Sequence, residues 1–110
     1  MKVLSTNLTS KKDMINATNS GASLKDLVGK NMQMFGYVIY EQENEDGTID
    51  KVVAIKTADG FVGSTSANVI ETVTACAGAF ENAEFETGID FTVRSDKSKN
   101  DRTFLTLELL

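Results

Sequence analysis

Two kinds of side chain in this 110-residue chain suit the holding of a ligand: aromatic rings on strand-like segments and a late cluster of cations. Phe35, Tyr37, Tyr40, Phe61 and Phe104 fall in stretches patterned like strands. Arg94, Lys97, Lys99 and Arg102 crowd one short segment, and Lys56 lies on an earlier strand. Rings beside a cationic track are the chemistry of single-strand nucleic-acid binding. Bases stack on the rings, at about 1–3 kcal/mol each, while lysine and arginine follow the phosphates. Other chemistries are poorly provided for. With no histidine and one cysteine, histidine-based catalysis and a zinc site are not expected. Cys76 falls on an apolar helical stripe and reads as a small core residue. Asp46-Gly47-Thr48-Ile49-Asp50 lacks the regular acidic spacing and closing glutamate of a calcium loop. No residue pair has acid–base spacing, so neither an enzyme nor a cofactor is expected.

Each ring and cation also has a packing reading. Phe80 and Phe91 sit on helical and alternating apolar stripes and belong to the core, and Tyr40 reads the same way. Phe85, in an acidic stretch, is expected to pack at the edge of the fold. Tyr37 is evenly balanced, because a buried tyrosine needs a partner for its hydroxyl. Phe61, between Gly60 and Gly63, sits where a backbone or a base can approach closely. Phe104 shares its strand face with Arg102, Thr106 and Glu108, a polar face on which a ring reads as ligand-facing. Lys56 shares a face with Val52 and Ala54, whereas Lys51 shares the more apolar face of Val53 and Ile55. That puts Lys56 on the open side. The late cations have the alternative of solvating a turn.

The element that must position these groups is Met32–Tyr40, read as one long strand bent at Gly36. Successive side chains of a strand point to opposite faces, and here both faces carry apolar or aromatic groups. The second face is therefore either covered or binds something. A mid-strand glycine marks a bulge or a barrel corner. Residues 1–21 form a polar arm with one short strand or turn, ending near Asn19-Ser20-Gly21. Residues 22–110 form the folded domain. Ser23–Gly29 reads as a single helical turn. Asp46-Gly47 and Asp59-Gly60 are hairpin signals bounding a strand over Lys51–Thr57 and a short one over Phe61–Thr65. Val69, Ile70, Val73, Cys76, Ala77 and Phe80 recur at helical spacing over residues 66–80, with Ser66 as N-cap and Asn68, with Glu71 three residues on, as the weaker alternative start. Glu81–Gly88 is an acidic loop. Ile89–Arg94 and Thr103–Leu109 complete the strands. The order strand, strand, strand, helix, strand, strand gives a mainly β fold: a five-stranded Greek-key OB barrel with one α-helix between strands three and four.

Length and composition bound the rest. One domain of this size buries roughly two-thirds of its unfolded surface. No apolar run approaches the ~20 residues of a membrane helix. Together with a single cysteine and no signal-peptide pattern, this predicts a cytoplasmic protein without a membrane partner. The net charge of −5 by itself disfavours a phosphate binder, but its distribution is uneven. Glu41, Glu43, Glu45, Asp46 and Asp50 crowd one segment, opposite in sign to the late cations.

Gly36-Tyr37, Ile55-Lys56-Thr57-Ala58-Asp59-Gly60 and Ser98-Lys99-x-x-Arg102-x-Phe104 resemble motifs of small single-stranded DNA-binding proteins encoded by phages and prophages of Gram-positive bacteria. The resemblance runs from about Lys25 to Leu109. It implies an OB barrel that coats single-stranded DNA with little sequence preference in phage replication or recombination, in the host cytoplasm. Phage replication or recombination proteins are the implied partners, and the arm is a candidate to swap or add a strand between copies. The expected nucleic-acid site is Phe35, Tyr37, Lys56, Phe61, Arg94, Lys97, Lys99, Arg102 and Phe104. The competing reading is an acidic protein-binding module, or an inhibitor whose carboxylates stand in for DNA phosphates. The grouped cations after residue 93 serve the first reading and not the second.

Overall fold

The computed structural model describes residues 2–19, 22–97, 99–100 and 102–110. The expected arm end at Ser20-Gly21, and Ser98 of the third motif, lie outside them. In order the elements are β1 (Lys2–Thr6), α1 (Lys11–Thr18), a 3-10 turn (Leu24–Leu27), β2 (Asn31–Met34), β3 (Gly36–Glu43), β4 (Ile49–Thr57), β5 (Gly60–Ser64), α2 (Ala67–Ala79), α3 (Asn82–Thr87), β6 (Ile89–Lys97) and β7 (Thr103–Leu109). The strands form two antiparallel sheets, ordered β1-β3-β4-β5 and β2-β6-β7.

The long bent strand is broken. Phe35 belongs to neither ladder, and the chain passes from one sheet to the other across it, with the Phe35 N–H donating to the Lys56 carbonyl at 2.8 Å. The next residue, Gly36, sits at a close crossing of the chain. A Cβ on Gly36 would lie 2.8 Å from Leu8 Cδ2 and 3.2 Å from Asn7 Oδ1, so the N-terminal segment crosses where a side chain would be. The Asn7 carboxamide oxygen accepts from the Tyr37 N–H at 2.8 Å, and the Thr6 hydroxyl donates to the Tyr37 carbonyl at 2.7 Å. These two bonds tie the arm to the corner.

A closed five-stranded barrel is not what the ladders make. Among the described residues there are seven strands, and no ladder joins β5 to β7. That seam is spanned instead by the Ser66 hydroxyl, which donates to the Leu105 carbonyl at 3.0 Å. Ser66 does precede the expected helix, but its side chain is used across the seam and makes no cap bond to α2. Nor is α2 the sole helix. The stretch read as an acidic loop contains α3, started by a reciprocal capping box in which Glu81 and Glu84 each bond the other's backbone. α3 places Phe85 in the core at 3% exposure, not at an edge.

The main core lies between α2 and the facing sides of both sheets. Val69, Ile70, Val73 and Cys76 of α2 meet Tyr37, Ile39, Val53, Ile55 and Val62 from the first sheet and Phe91, Val93 and Leu107 from the second. A second cluster lies on the outer face of the first sheet. There Val38, Tyr40 and Ala54 are buried together with Ala17 of α1, and Leu8, Met14, Val52 and Phe61 pack around them. The second apolar face of β3 is thus covered by the arm. Ser10 caps α1, its hydroxyl accepting from the Asp13 N–H at 3.3 Å.

Candidate nucleic-acid interface

Strand alternation puts Lys56 on the outer face of the first sheet, with Val52 and Ala54, as its neighbours suggest. That face lies under α1. The Lys56 ammonium donates to Asp13 Oδ2 at 2.9 Å, with the two side chains 39% and 25% exposed. Phe61 is the cross-strand partner of Lys56 and is half-buried against the same cluster. Phe35 is half-buried at the corner and shares a hollow of about 250 Å³ with Leu8, Asp13, Lys56 and Phe85. Burial here pushes the Tyr40 hydroxyl pKa up.

Tyr37, of the expected nucleic-acid site, lies in the main core. β3 turns its odd-numbered side chains toward α2, leaving Tyr37 6% exposed with its ring 5.6 Å from that of Phe85. Its hydroxyl is 3.5 Å from Ser5 Oγ.

Two further hollows run beside β5. One, of about 390 Å³, is floored by Tyr40, Val52, Ala54 and Gly63 and bounded by the C-terminal end of α1. Its far rim is polar: Asn44 donates to Asp50 Oδ2 at 3.0 Å and to Thr48 Oγ1 at 2.9 Å. In the same turn, hydrogen bonds from the Thr48 hydroxyl and N–H hold the Asp46 carboxyl below its ordinary pKa. The other hollow, of about 670 Å³, lies at the β5–β7 seam and is lined by Lys25, Asn68, Phe104 and Leu105. Both are lined by Ser23, Ser64 and Thr65, so they meet at the end of β5. Together they make a path from the acidic β3–β4 turn to the basic β6–β7 hairpin.

At the hairpin, Lys97 ends β6, and Lys97, Lys99 and Arg102 are all exposed. Among the described residues none forms an ion pair with these three. Arg94 is set apart from them. It sits on the outer face of the second sheet, its guanidinium 3.3 Å from Glu108 and 4.0 Å from Asp96. Phe104 is on that polar face too, opposite Asp96, half-buried at the mouth of the seam hollow. Arg102 lies one residue before β7, so strand alternation does not fix it on the face of Phe104. The structure therefore places Phe104 near the start of the strand that follows the Lys97–Arg102 hairpin, beside Lys25, and separately brings Phe35, Lys56 and Phe61 together at α1. Lys25 is the addition that the sequence did not suggest. It is the exposed residue following buried Leu24 in the 3-10 turn, and only the tertiary fold carries it to the seam.

A family model described as phage single-stranded DNA-binding protein matches residues 2–110, nearly the whole chain. No curated protein and no solved structure matches it.

Proposed function

The chain belongs to the phage single-stranded DNA-binding protein family, and from that premise we propose that it coats single-stranded DNA with little sequence preference during phage replication or recombination. The family match over residues 2–110 carries the reading. The path over β5 supports it at the level of chemistry. It offers a ring at Phe104, a cation at Lys25 and hydroxyls at Ser23, Ser64 and Thr65, and it ends at Thr103, next to the exposed Lys97, Lys99 and Arg102 of the hairpin. Base stacking plus a cationic track discriminates little among bases, because every base has a π-face.

The fold reading that goes with this is an OB barrel left open at one seam. In it β2 and β3 act as one bent first strand, β4 and β5 as the second and third, and β6 and β7 as the fourth and fifth. The chain order, the position of α2 and the Ser66–Leu105 bond across the seam support it. Work in the host cytoplasm, alongside phage replication or recombination proteins and other copies of the chain, belongs to the same reading. The described residues include no helix long and apolar enough to cross a membrane. Asp46 and Asp50 accept bonds within their own turn, which counts against their display as phosphate mimics. Fluorescence anisotropy with labelled oligo-dT, mixed-sequence single strands and duplex of equal length tests the proposal. Similar affinity for the single strands and much weaker binding to duplex is the expected result. A duplex preference, or no binding at low salt, overturns it.

A further inference from the structure

Resting on the reading that the chain binds single-stranded DNA, we propose that α1 is an autoinhibitory strap: Asp13 occupies Lys56 in place of a DNA phosphate, and bound DNA lifts the helix from Lys56 and Phe61. Lys56 and Phe61 are direct cross-strand partners on β4 and β5. A ring beside an ammonium on one sheet face is the pairing that a stacked base and its phosphate need. Lys56 is otherwise oddly placed, half-buried at the margin of an apolar cluster built from Val38, Tyr40 and Ala54. Asp13 is what compensates its charge there, at 2.9 Å. A carboxylate and a phosphate are both oxyanions that accept a charge-assisted bond from lysine, so they compete for one ammonium.

The strap is built to be lifted without unfolding the protein. α1 has eight residues, too few to be stable as an isolated helix. Only Ala17 of it is buried, while Lys11, Lys12, Ile15 and Asn16 are exposed. The flanking chain is held more firmly. On one side Thr6 and Asn7 bond the backbone of Tyr37, and on the other the Ala22 carbonyl accepts from the Gly63 N–H at 3.0 Å. The helix is held by its ion pair, a long Thr6 hydroxyl bond to Met14 Sδ and the apolar contacts of Ala17 and Met14, between two fixed ends, so it can lift as a unit. The measured affinity is then reduced by the fraction of molecules that are closed.

The test uses the full chain carrying Ala17→Cys, with Met14→Cys as a second reporter in case the first perturbs packing. Ala17 is 3% exposed, and the native Cys76, 1% exposed in the main core, serves as the internal reference. Thiol labelling is followed by peptide mass, with and without saturating oligo-dT. DNA is expected to speed labelling at residue 17 or 14 several-fold and to leave Cys76 slow. In parallel, Asp13→Asn is expected to tighten oligo-dT binding by up to roughly fivefold, the range of an exposed ion pair. Met14→Gln, which loosens the helix without changing charge, should shift affinity in the same direction. Binding with unchanged or slowed labelling overturns the strap and leaves the DNA-binding reading standing. Absence of binding by the native chain and by Met14→Gln alike overturns that reading itself. Binding by Met14→Gln but not by the native chain supports the strap.

Discussion

Phe104 and Tyr37 are both aromatic residues on strands, and their surroundings assign them opposite roles. Phe104 stands half-buried at the mouth of the seam hollow, opposite Asp96, with polar neighbours. Phe104→Ala should weaken oligo-dT binding by about 1–3 kcal/mol, the contribution of one stacked base, while thermal melting stays near that of the native chain. Tyr37 stands in the main core against Phe85. Tyr37→Ala should cost about 3–5 kcal/mol of folding stability, the usual loss for a large buried ring, read as a lower urea midpoint. A Phe104→Ala protein that melts far lower yet binds DNA normally would move Phe104 into the core and the site elsewhere. Asp46 gives a pH signature at the same scale. Its folded pKa lies below the ordinary 3.8 because Thr48 bonds the ionised form. The contribution is therefore present above that value and fades as pH falls through the folded pKa. Thr48→Val should flatten the acid limb of a stability–pH profile below about pH 4.

The elements differ in how far their causes are local, and that decided which were legible. β6 could be read because Ile89, Phe91 and Val93 alternate with Asp90, Thr92 and Arg94, and each buried residue faces one core. α2 could be read because its stripe of Val69, Ile70, Val73 and Cys76 meets that same core. The break at Phe35 could not, because it depends on Leu8 and Asn7 crossing at Gly36 from far away in sequence. α1 was hidden by its polarity: of its apolar residues, Ala17 is buried and Ile15 points to solvent. α3 was hidden because its capping box uses Glu81 where serine or threonine is the usual first residue. Of the site, the outward face of Lys56 was legible from Val52 and Ala54, but the helix that covers it was not. Gly88, the joint between α3 and β6, shows how tightly such long-range features are held. Its φ is +94°, and a Cβ there would meet the Phe35 ring at 3.0 Å and Gln33 Cβ at 3.2 Å. Gly88→Ala combines backbone strain with a clash against packed groups, so it should cost on the order of 1–3 kcal/mol. The check is a drop in urea midpoint at unchanged slope. An unchanged midpoint would mean that Phe35 moves freely out of the way, and so that the corner is soft.

At the scale of the whole molecule, an acidic protein has to hold a polyanion. With a net charge of −5, long-range attraction to DNA is not available from the molecule as a whole. What is available is polarity: a turn rich in Glu43, Glu45 and Asp46 at one end of the path, and Lys97, Lys99 and Arg102 at the other. Binding should then depend on a few local phosphate contacts and be correspondingly easy to screen. If about four phosphates are tracked, the plot of log affinity against log salt should have a slope of about −3, from roughly −0.7 per contact on single strands. The two arginines of the cation cluster separate contact from bystander. Arg102 is exposed at the hairpin, so Arg102→Ala should weaken binding and reduce the slope by about 0.7. Arg94 is held between Glu108 and Asp96 on the outer face of the second sheet, so Arg94→Ala should leave the slope unchanged. Salt titrations of the three proteins against one labelled oligo-dT check all of this together. A slope that falls with Arg94→Ala and not with Arg102→Ala would put the phosphates beside Arg94 and Glu108 and not along the path over β5.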